Sequence, residues 1–199
     1  MTAMSWDESY TGEYPPPWDI GRPQPVFVGL AEQGLLSGRV LDVGCGTGEH
    51  VLLAAEHGAS EPTGIDLSPT AIESARAKAE QRGVSAHFEV GDALRLDVAD
   101  SSIDTIIDSG LFHVLSDADR PRYVASITRV AKPGGHVYLM CFSDRQPGDM
   151  GPRRVRQEEL REAFSDGWEF ESITAETFDV NRFGHSNVAQ AWLAVIRRT

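Results

Sequence analysis

Cysteine is nearly absent: Cys45 and Cys141 are the only two in 199 residues, far apart and set among apolar neighbours. That excludes a disulfide framework and offers no metal-ligand spacing, so no metal is expected and a reducing cytoplasm is the natural home. Positive charge is also short. Eighteen Lys and Arg stand against 30 Asp and Glu, a formal net charge of −12, which repels nucleic-acid phosphates and anionic lipid headgroups. The one short basic cluster, Arg153, Arg154 and Arg156, reads as a solvated turn. Long hydrophobic runs are missing too: none reaches the roughly 20 residues of a membrane span, and Met1 to Tyr14 is acidic and polar, without the apolar centre of a secretory signal. Neither nucleic acid nor membrane is therefore expected as a partner.

What is present is an ordinary globular composition, 41% hydrophobic and 24% charged, in a length that suits one domain. Residues 1–25 differ from the rest. They hold Pro15-Pro16-Pro17 and the pairs Arg22-Pro23 and Gln24-Pro25, which forbid a regular helix, yet also Trp6, Tyr10, Tyr14 and Trp18, more aromatics than a disordered tail carries. The expectation is a segment packed down over something, followed by one domain over 26–199.

From Val26 onward short apolar runs alternate with amphipathic stretches, the pattern of βα units around a largely parallel sheet. Strands are expected at Val40 to Val43, Pro62 to Asp66, Ala86 to Val90, Ile103 to Ser109 and His136 to Phe142, and two more at Trp168 to Thr174 and Val188 to Ile196. Helices are expected at Glu49 to His57, at Thr70 to Arg82 behind a Ser68-Pro69 start and before Gly83, at Asp117 to Ala131, and near Gln157 to Phe164. The last two strands have no helix between them and are expected to be antiparallel neighbours. The fold class is α/β: a single Rossmann-like domain with a seven-stranded, mostly parallel sheet, an antiparallel last strand, helices on both faces and an N-terminal lid segment.

Asp42-Val43-Gly44-Cys45-Gly46-Thr47-Gly48 falls where the first strand ends and a helix begins. Glycines there let backbone approach a ligand, and the helix offers its N-terminal N–H groups. The spacing is G-x-G-x-G rather than the G-x-G-x-x-G of dinucleotide folds, and Asp42 opposes a diphosphate but welcomes an ammonium. Asp66, at the end of the second strand, stands at the offset where a carboxylate meets a ribose diol, or it caps the next helix, a role Ser68 shares. Asp92 and Ala93, after the third strand, suit an adenine amino group and ring nitrogen, or form a solvated turn. These three places, together with the end of the fourth strand, lie on the carboxyl edge of one sheet, where ligands of open α/β sheets collect.

With these residues assembled, the chain resembles the class I S-adenosylmethionine-dependent methyltransferases. Val40 to Gly48 matches their first motif, Gly64-Ile65-Asp66-Leu67-Ser68 the second, Gly91-Asp92-Ala93 the third, and Lys132-Pro133-Gly134-Gly135 the turn before the fifth strand. Pro17-Trp18-Asp19-Ile20-Gly21-Arg22-Pro23-Gln24-Pro25 and the loop from Phe142 to Pro152 are similar to segments of the thiopurine, thiol and halide methyltransferases. The resemblance implies S-adenosylmethionine as cofactor, held by Trp18, Asp42, Gly44, Gly46, Gly48, Asp66, Leu67, Asp92, Ala93 and Asp108. It implies methyl transfer to O, S or N of a small-molecule acceptor (a thiol, phenol or heterocycle), a detoxification role, and a monomer or homodimer. Trp18 either lies against the sulfonium, by cation–π attraction, or fills a seam. Arg22, Asp144 and Arg145, with Arg153 beyond them, are placed at the acceptor mouth. His113 is the expected base where the acceptor has a proton to lose, or it packs and caps the next helix. Two rivals remain: a sensor that binds the same cofactor without turnover, and an NAD(P)-dependent oxidoreductase, which the glycine spacing and Asp42 disfavour.

Overall fold

The computed structural model describes residues 3–183 and 186–199. Its elements, in chain order, are α1 (Ala3–Tyr10), α2 (Pro25–Glu32), β1 (Arg39–Val43), α3 (Glu49–Glu56), β2 (Glu61–Asp66), α4 (Pro69–Arg82), β3 (His87–Val90), β4 (Ile103–Ser109), α5 (Asp119–Val130), β5 (Ala131–Phe142), α6 (Gln157–Ala163), β6 (Trp168–Phe183) and β7 (Ser186–Arg198). Two short 3₁₀ turns, Ala93–Arg95 and Phe112–Val114, follow β3 and β4. Among the described residues no helix is long and apolar enough to cross a membrane.

The seven strands form one sheet in the order β3-β2-β1-β4-β5-β7-β6. β1 to β5 pair in parallel, and β7 runs antiparallel to both β5 and β6. The order reverses between β1 and β4, so their carboxyl ends open at the switch point where such sheets take ligands. β-branched and other apolar side chains bury both faces. One core layer joins Leu41, Ile106, Leu139 and Ile196 to α5 and α6; the other joins Val40, Ile107 and Met140 to α2 and α3.

Local chemistry sets the helix that frames the site. Ser68 accepts from the Ala71 N–H at 3.0 Å, Pro69 opens α4, and Gly83 closes it in the left-handed conformation at φ 65°, as the sequence indicated. Elsewhere the expectations need correction. The prolines constrain only residues near Pro15 to Pro17, and upstream of them Ala3–Tyr10 forms a helix where the sequence predicts none. The helix after β4 starts at Asp119, behind a Ser116 hydroxyl that accepts from the Asp119 N–H at 3.2 Å. Lys132 to Gly135 is a bulge inside β5, between the pairs Ile103↔Ala131 and Thr105↔His136. β6 extends nine residues past Thr174, because buried Phe178 and Val180 alternate with polar neighbours along a hairpin arm shared with β7.

That arm holds the N-terminal segment down. The Asn181 N–H donates to the Pro17 carbonyl at 2.7 Å, and Arg22 pairs with Asp179 at 2.7 Å. Gln24 is 2% exposed. Its side-chain amide pairs with the Asp179 backbone at both ends, accepting from the N–H at 2.8 Å and donating to the carbonyl at 2.9 Å, as a strand neighbour would. At the other end Asp7 of α1 accepts from the Ser68 hydroxyl at 2.6 Å and the Thr70 N–H at 2.9 Å, so the lid helix sits on the start of α4. Replacing Gln24→Ala orphans both Asp179 groups and is expected to remove about 2 kcal/mol of stability, lowering Tm by roughly 4–8 °C; calorimetric melting checks this, and an unchanged Tm contradicts it.

Candidate active site

The turn from β1 into α3 is built on left-handed backbone. Gly46 and Gly48 have φ of 52° and 85°, and both positions are also closed sterically. A Cβ on Gly48 would sit 2.6 Å from the Phe88 ring, and one on Gly46 2.9 Å from the Tyr10 hydroxyl; only glycine fits both demands. Gly44 shares the left-handed conformation, and its N–H, with that of Cys45, donates to the Ile65 carbonyl at 2.8 and 3.1 Å. The turn is thereby clamped to β2.

Three expected aspartates meet beneath this turn, each with a different fate. Asp66 accepts from the Gly46 N–H at 2.9 Å and the Ser68 N–H at 2.9 Å. It therefore fastens the glycine turn and opens α4, each oxygen keeping a second lone pair; burial raises its pKa against these bonds. Asp108 is fully buried and accepts from the N–H groups of Leu111 (2.8 Å) and Phe112 and from the Tyr123 hydroxyl at 2.8 Å. Burial raises it to about 6, and its oxygens serve the turn after β4.

Asp42 is fully buried as well, but neither of its carboxylate oxygens has a hydrogen-bond partner. Burial first, then the charges of Asp108 and Asp66, push its pKa well above the ordinary carboxylate range. A dry, unpartnered carboxylate beside two others is held against a large desolvation penalty, and a ligand cation relieves it. The residues thus fit a molecule with an ammonium group and a nucleoside: Asp42 for the first, the free lone pairs of Asp66 for a diol. Asp92 is turned back on its own chain, accepting from the Leu94 N–H at 2.9 Å, beside buried Ala93. Leu67 is half-buried between Asp66 and Ser68.

The lid lies across this edge. Trp18 donates from its indole N–H to the Tyr10 hydroxyl at 2.9 Å and stands edge-on to Trp6 with ring centroids 5.6 Å apart. Tyr10 is the residue over Gly46, and burial followed by the Asp66 charge raises its phenol. Thr47, in the turn, donates to Asp19 at 3.1 Å and accepts from Lys78 at 2.7 Å. Two surface clefts, of about 340 and 600 Å³, lie instead at the amino ends of the strands, near Glu61 and His87 and near Gly38 and Asp104; the carboxyl edge is covered by the lid.

His113, the expected base, packs inward. It is 6% exposed, its Nδ1 accepts from the Phe142 N–H at 2.9 Å, and its ring lies against Phe142 and Phe178. Burial, then the charges of Arg120 and Arg154, lowers it to about 3. With Nδ1 occupied the proton sits on Nε2, and the ring offers no lone pair to an incoming proton. The acceptor-mouth residues are divided: Arg22 is tied to β6 through Asp179, whereas Asp144 accepts from the Trp192 indole N–H at 3.1 Å and the Arg145 guanidinium lies 5.6 Å over the same indole. Arg153 is bound to Asp117 and Glu159. Tyr10 is one of the lid aromatics that the sequence offers, whereas Asp7, Asp19, Gln24 and His50 carry no signal as site residues in the sequence; Asp19 and Gln24 merely flank the lid prolines, and His50 the glycine turn.

A family model described as "Methyltransferase domain" matches residues 40–135. The 2-heptyl-1-hydroxyquinolin-4(1H)-one methyltransferase of Mycobacteroides abscessus is 39% identical over 188 residues, covering 90% of this chain and 82% of that protein. "Probable thiol methyltransferase 2" of Arabidopsis thaliana is 32% identical over 141 residues, 69% of this chain and 59% of its own length. A solved structure from work on the conversion of a disulfide bond into a thioacetal group during echinomycin biosynthesis superposes with a TM-score of 0.88 at 38% identity, covering 98% of this chain and 92% of that one. The chain belongs to the class I S-adenosylmethionine-dependent methyltransferases.

Proposed function

We propose that this enzyme methylates the oxygen, sulfur or nitrogen of a small organic acceptor that ionises readily by itself, such as a thiol or an acidic hydroxyl on a heterocycle, in a detoxification role. The observation that carries the reading is Asp42, buried and unpartnered below the glycine turn. Relatives whose names specify a hydroxyquinolone and a thiol support the acceptor class.

S-adenosylmethionine held here would supply a methyl group activated by its sulfonium, passed to the acceptor's lone pair as the S–CH3 bond breaks and the neutral thioether leaves. Asp42 holds the ammonium, Asp66 takes the ribose hydroxyls, and Asp92 with Ala93 borders the adenine. Gly44, Gly46 and Gly48 keep the floor flat enough for close approach, with Leu67 beside the nucleoside. Trp18 and Tyr10 close over the edge and keep water out, and Trp18 offers an aromatic face to positive charge. Holding the reactants about 3–3.5 Å apart is worth roughly 7–11 kcal/mol of barrier, so alignment does most of the work. Arg22, on the lid side, and Asp144 with Arg145, beside Trp192, flank the route by which the acceptor enters. His113 stays neutral and braces the end of β5, and the proton leaves the acceptor in water before it enters. A thiol, with a pKa near 8.5, meets that requirement near neutrality.

Three outcomes follow. Labelled S-adenosylmethionine incubated with thiols, phenols and hydroxyquinolones should yield methylated product from at least one class; tight binding of the donor with no product from any contradicts turnover. Asp42→Asn should weaken binding of the donor about a hundredfold, as loss of a charged partner of about 3 kcal/mol requires; calorimetric Kd values check it. For His113→Gln, kcat/KM should keep its rise with pH along the acceptor's own ionisation, and a lost limb near pH 6–7 would restore His113 as base. The variant also carries a stability signature. Folded His113 at about 3 lies below its ordinary 6.5, so its contribution is complete above about 6.5 and falls as pH drops toward 3. Between pH 7 and pH 5 the stability difference between wild type and His113→Gln should therefore shift by about 2 kcal/mol in favour of the variant, as denaturant titration at the two pH values reads.

A further inference from the structure

His50 belongs to no motif singled out in the sequence, yet three parts of the molecule converge on it. It sits in the first turn of α3, directly behind the glycine turn. The Gln24 N–H, at the root of the lid, donates to its Nε2 at 3.1 Å. Phe27, on the same segment, lies against the ring with centroids 4.6 Å apart. On the opposite side His50 Nδ1 faces Asp42 Oδ2 at 3.8 Å. Because Nε2 accepts, the proton must sit on Nδ1. That N–H stands on the side of Asp42, in a charge–dipole contact at 3.8 Å that is longer than a hydrogen bond.

We propose that His50 is a positioning residue that ties the root of the lid to the cation-binding carboxylate: anchored by the Gln24 N–H and by Phe27, its Nδ1–H orients and steadies Asp42 toward the donor's ammonium group. The proposal rests on the reading of Asp42 as the ammonium partner. A neutral imidazole is the form this role needs, and burial, which outweighs the opposing Glu49 charge, lowers His50 to about 4, so it stays uncharged near neutrality. A neutral donor favours the ionised form of Asp42 without cancelling the charge the ammonium has to meet. Gln24 is itself fixed to β6 through Asp179. The linkage therefore runs from the hairpin arm through the lid root to the floor of the site.

Two measurements test it. In the wild-type protein without ligand, long-range ¹⁵N–¹H correlation of the imidazoles at pH 7, with the His50 signal assigned from its disappearance in His50→Phe, should show Nδ1 protonated and Nε2 bare; the reverse tautomer overturns the proposal. Calorimetry then compares S-adenosylhomocysteine with 5′-methylthioadenosine, which lacks the amino-acid end. His50→Phe should raise Kd for the first about tenfold and leave the second unchanged, and His50→Asn, which restores a donor facing Asp42, should recover most of the loss. In turnover, His50→Phe should raise KM for the donor and change kcat little. Equal weakening of both nucleosides, or none of either, contradicts the assignment. If Asp42→Asn separates the two nucleosides and His50→Phe does not, only the His50 role falls; if Asp42→Asn fails to separate them, the ammonium reading falls first.

Discussion

The structure turns on a concentration of negative charge in a dry place. Asp42, Asp66 and Asp108 come from the ends of β1, β2 and β4, and parallel pairing brings those ends together. Burial raises the pKa of all three, and the charges of Asp108 and Asp66 raise Asp42 further. The fold relieves two of them with its own donors: N–H groups of the glycine turn and the α4 start for Asp66, the Leu111 and Phe112 N–H groups and the Tyr123 hydroxyl for Asp108. The third is left for a ligand. The same pairing that makes the sheet stable thus leaves one polar group that folding alone does not satisfy, the group to which the proposed function assigns the donor's ammonium.

The lid answers the complementary need to exclude water. It is held at two separated points, Asp7 on the start of α4 and residues 17–24 on the β6–β7 arm, with Tyr10 and Trp18 spanning between them over Gly46. The segment is pinned at its ends and aromatic in its middle, and its contacts with the domain include hydrogen bonds and ring edges. The extension of β6 past Thr174 supplies the second of those anchor points.

Legibility in the sequence followed the range of the forces involved. The β1–α3 turn, the strand from Ile103 to Ser109 and the Ser68-Pro69 to Gly83 helix were readable because each depends on neighbours within a few residues: glycine at positive φ, β-branched packing, a cap and a stop. The family followed from the same local motifs. The α1 helix was missed because proline effects were extended past the residues they constrain, and the β6 arm because Glu176, Asp179 and Asn181 gave a polar look to a strand whose apolar side faces inward. Side-chain roles were the least legible. Asp108 and His113 occupy positions that suit a ligand contact, but Tyr123 and the Phe142 N–H, from elsewhere in the chain, take up their polar atoms. Gln24 meets Asp179 across 155 residues, a pairing no local pattern announces.

The central claim, that Asp42 waits for a positive charge, predicts a proton exchange on binding. Burial without a partner pushes the Asp42 carboxyl toward its protonated form, and an arriving cation pushes it back toward the carboxylate. Calorimetry of S-adenosylmethionine binding at pH 6 in buffers of different ionisation enthalpy counts that proton. The account predicts net release in the wild type that vanishes in Asp42→Asn; binding with no proton released, or with the same release in both proteins, contradicts it.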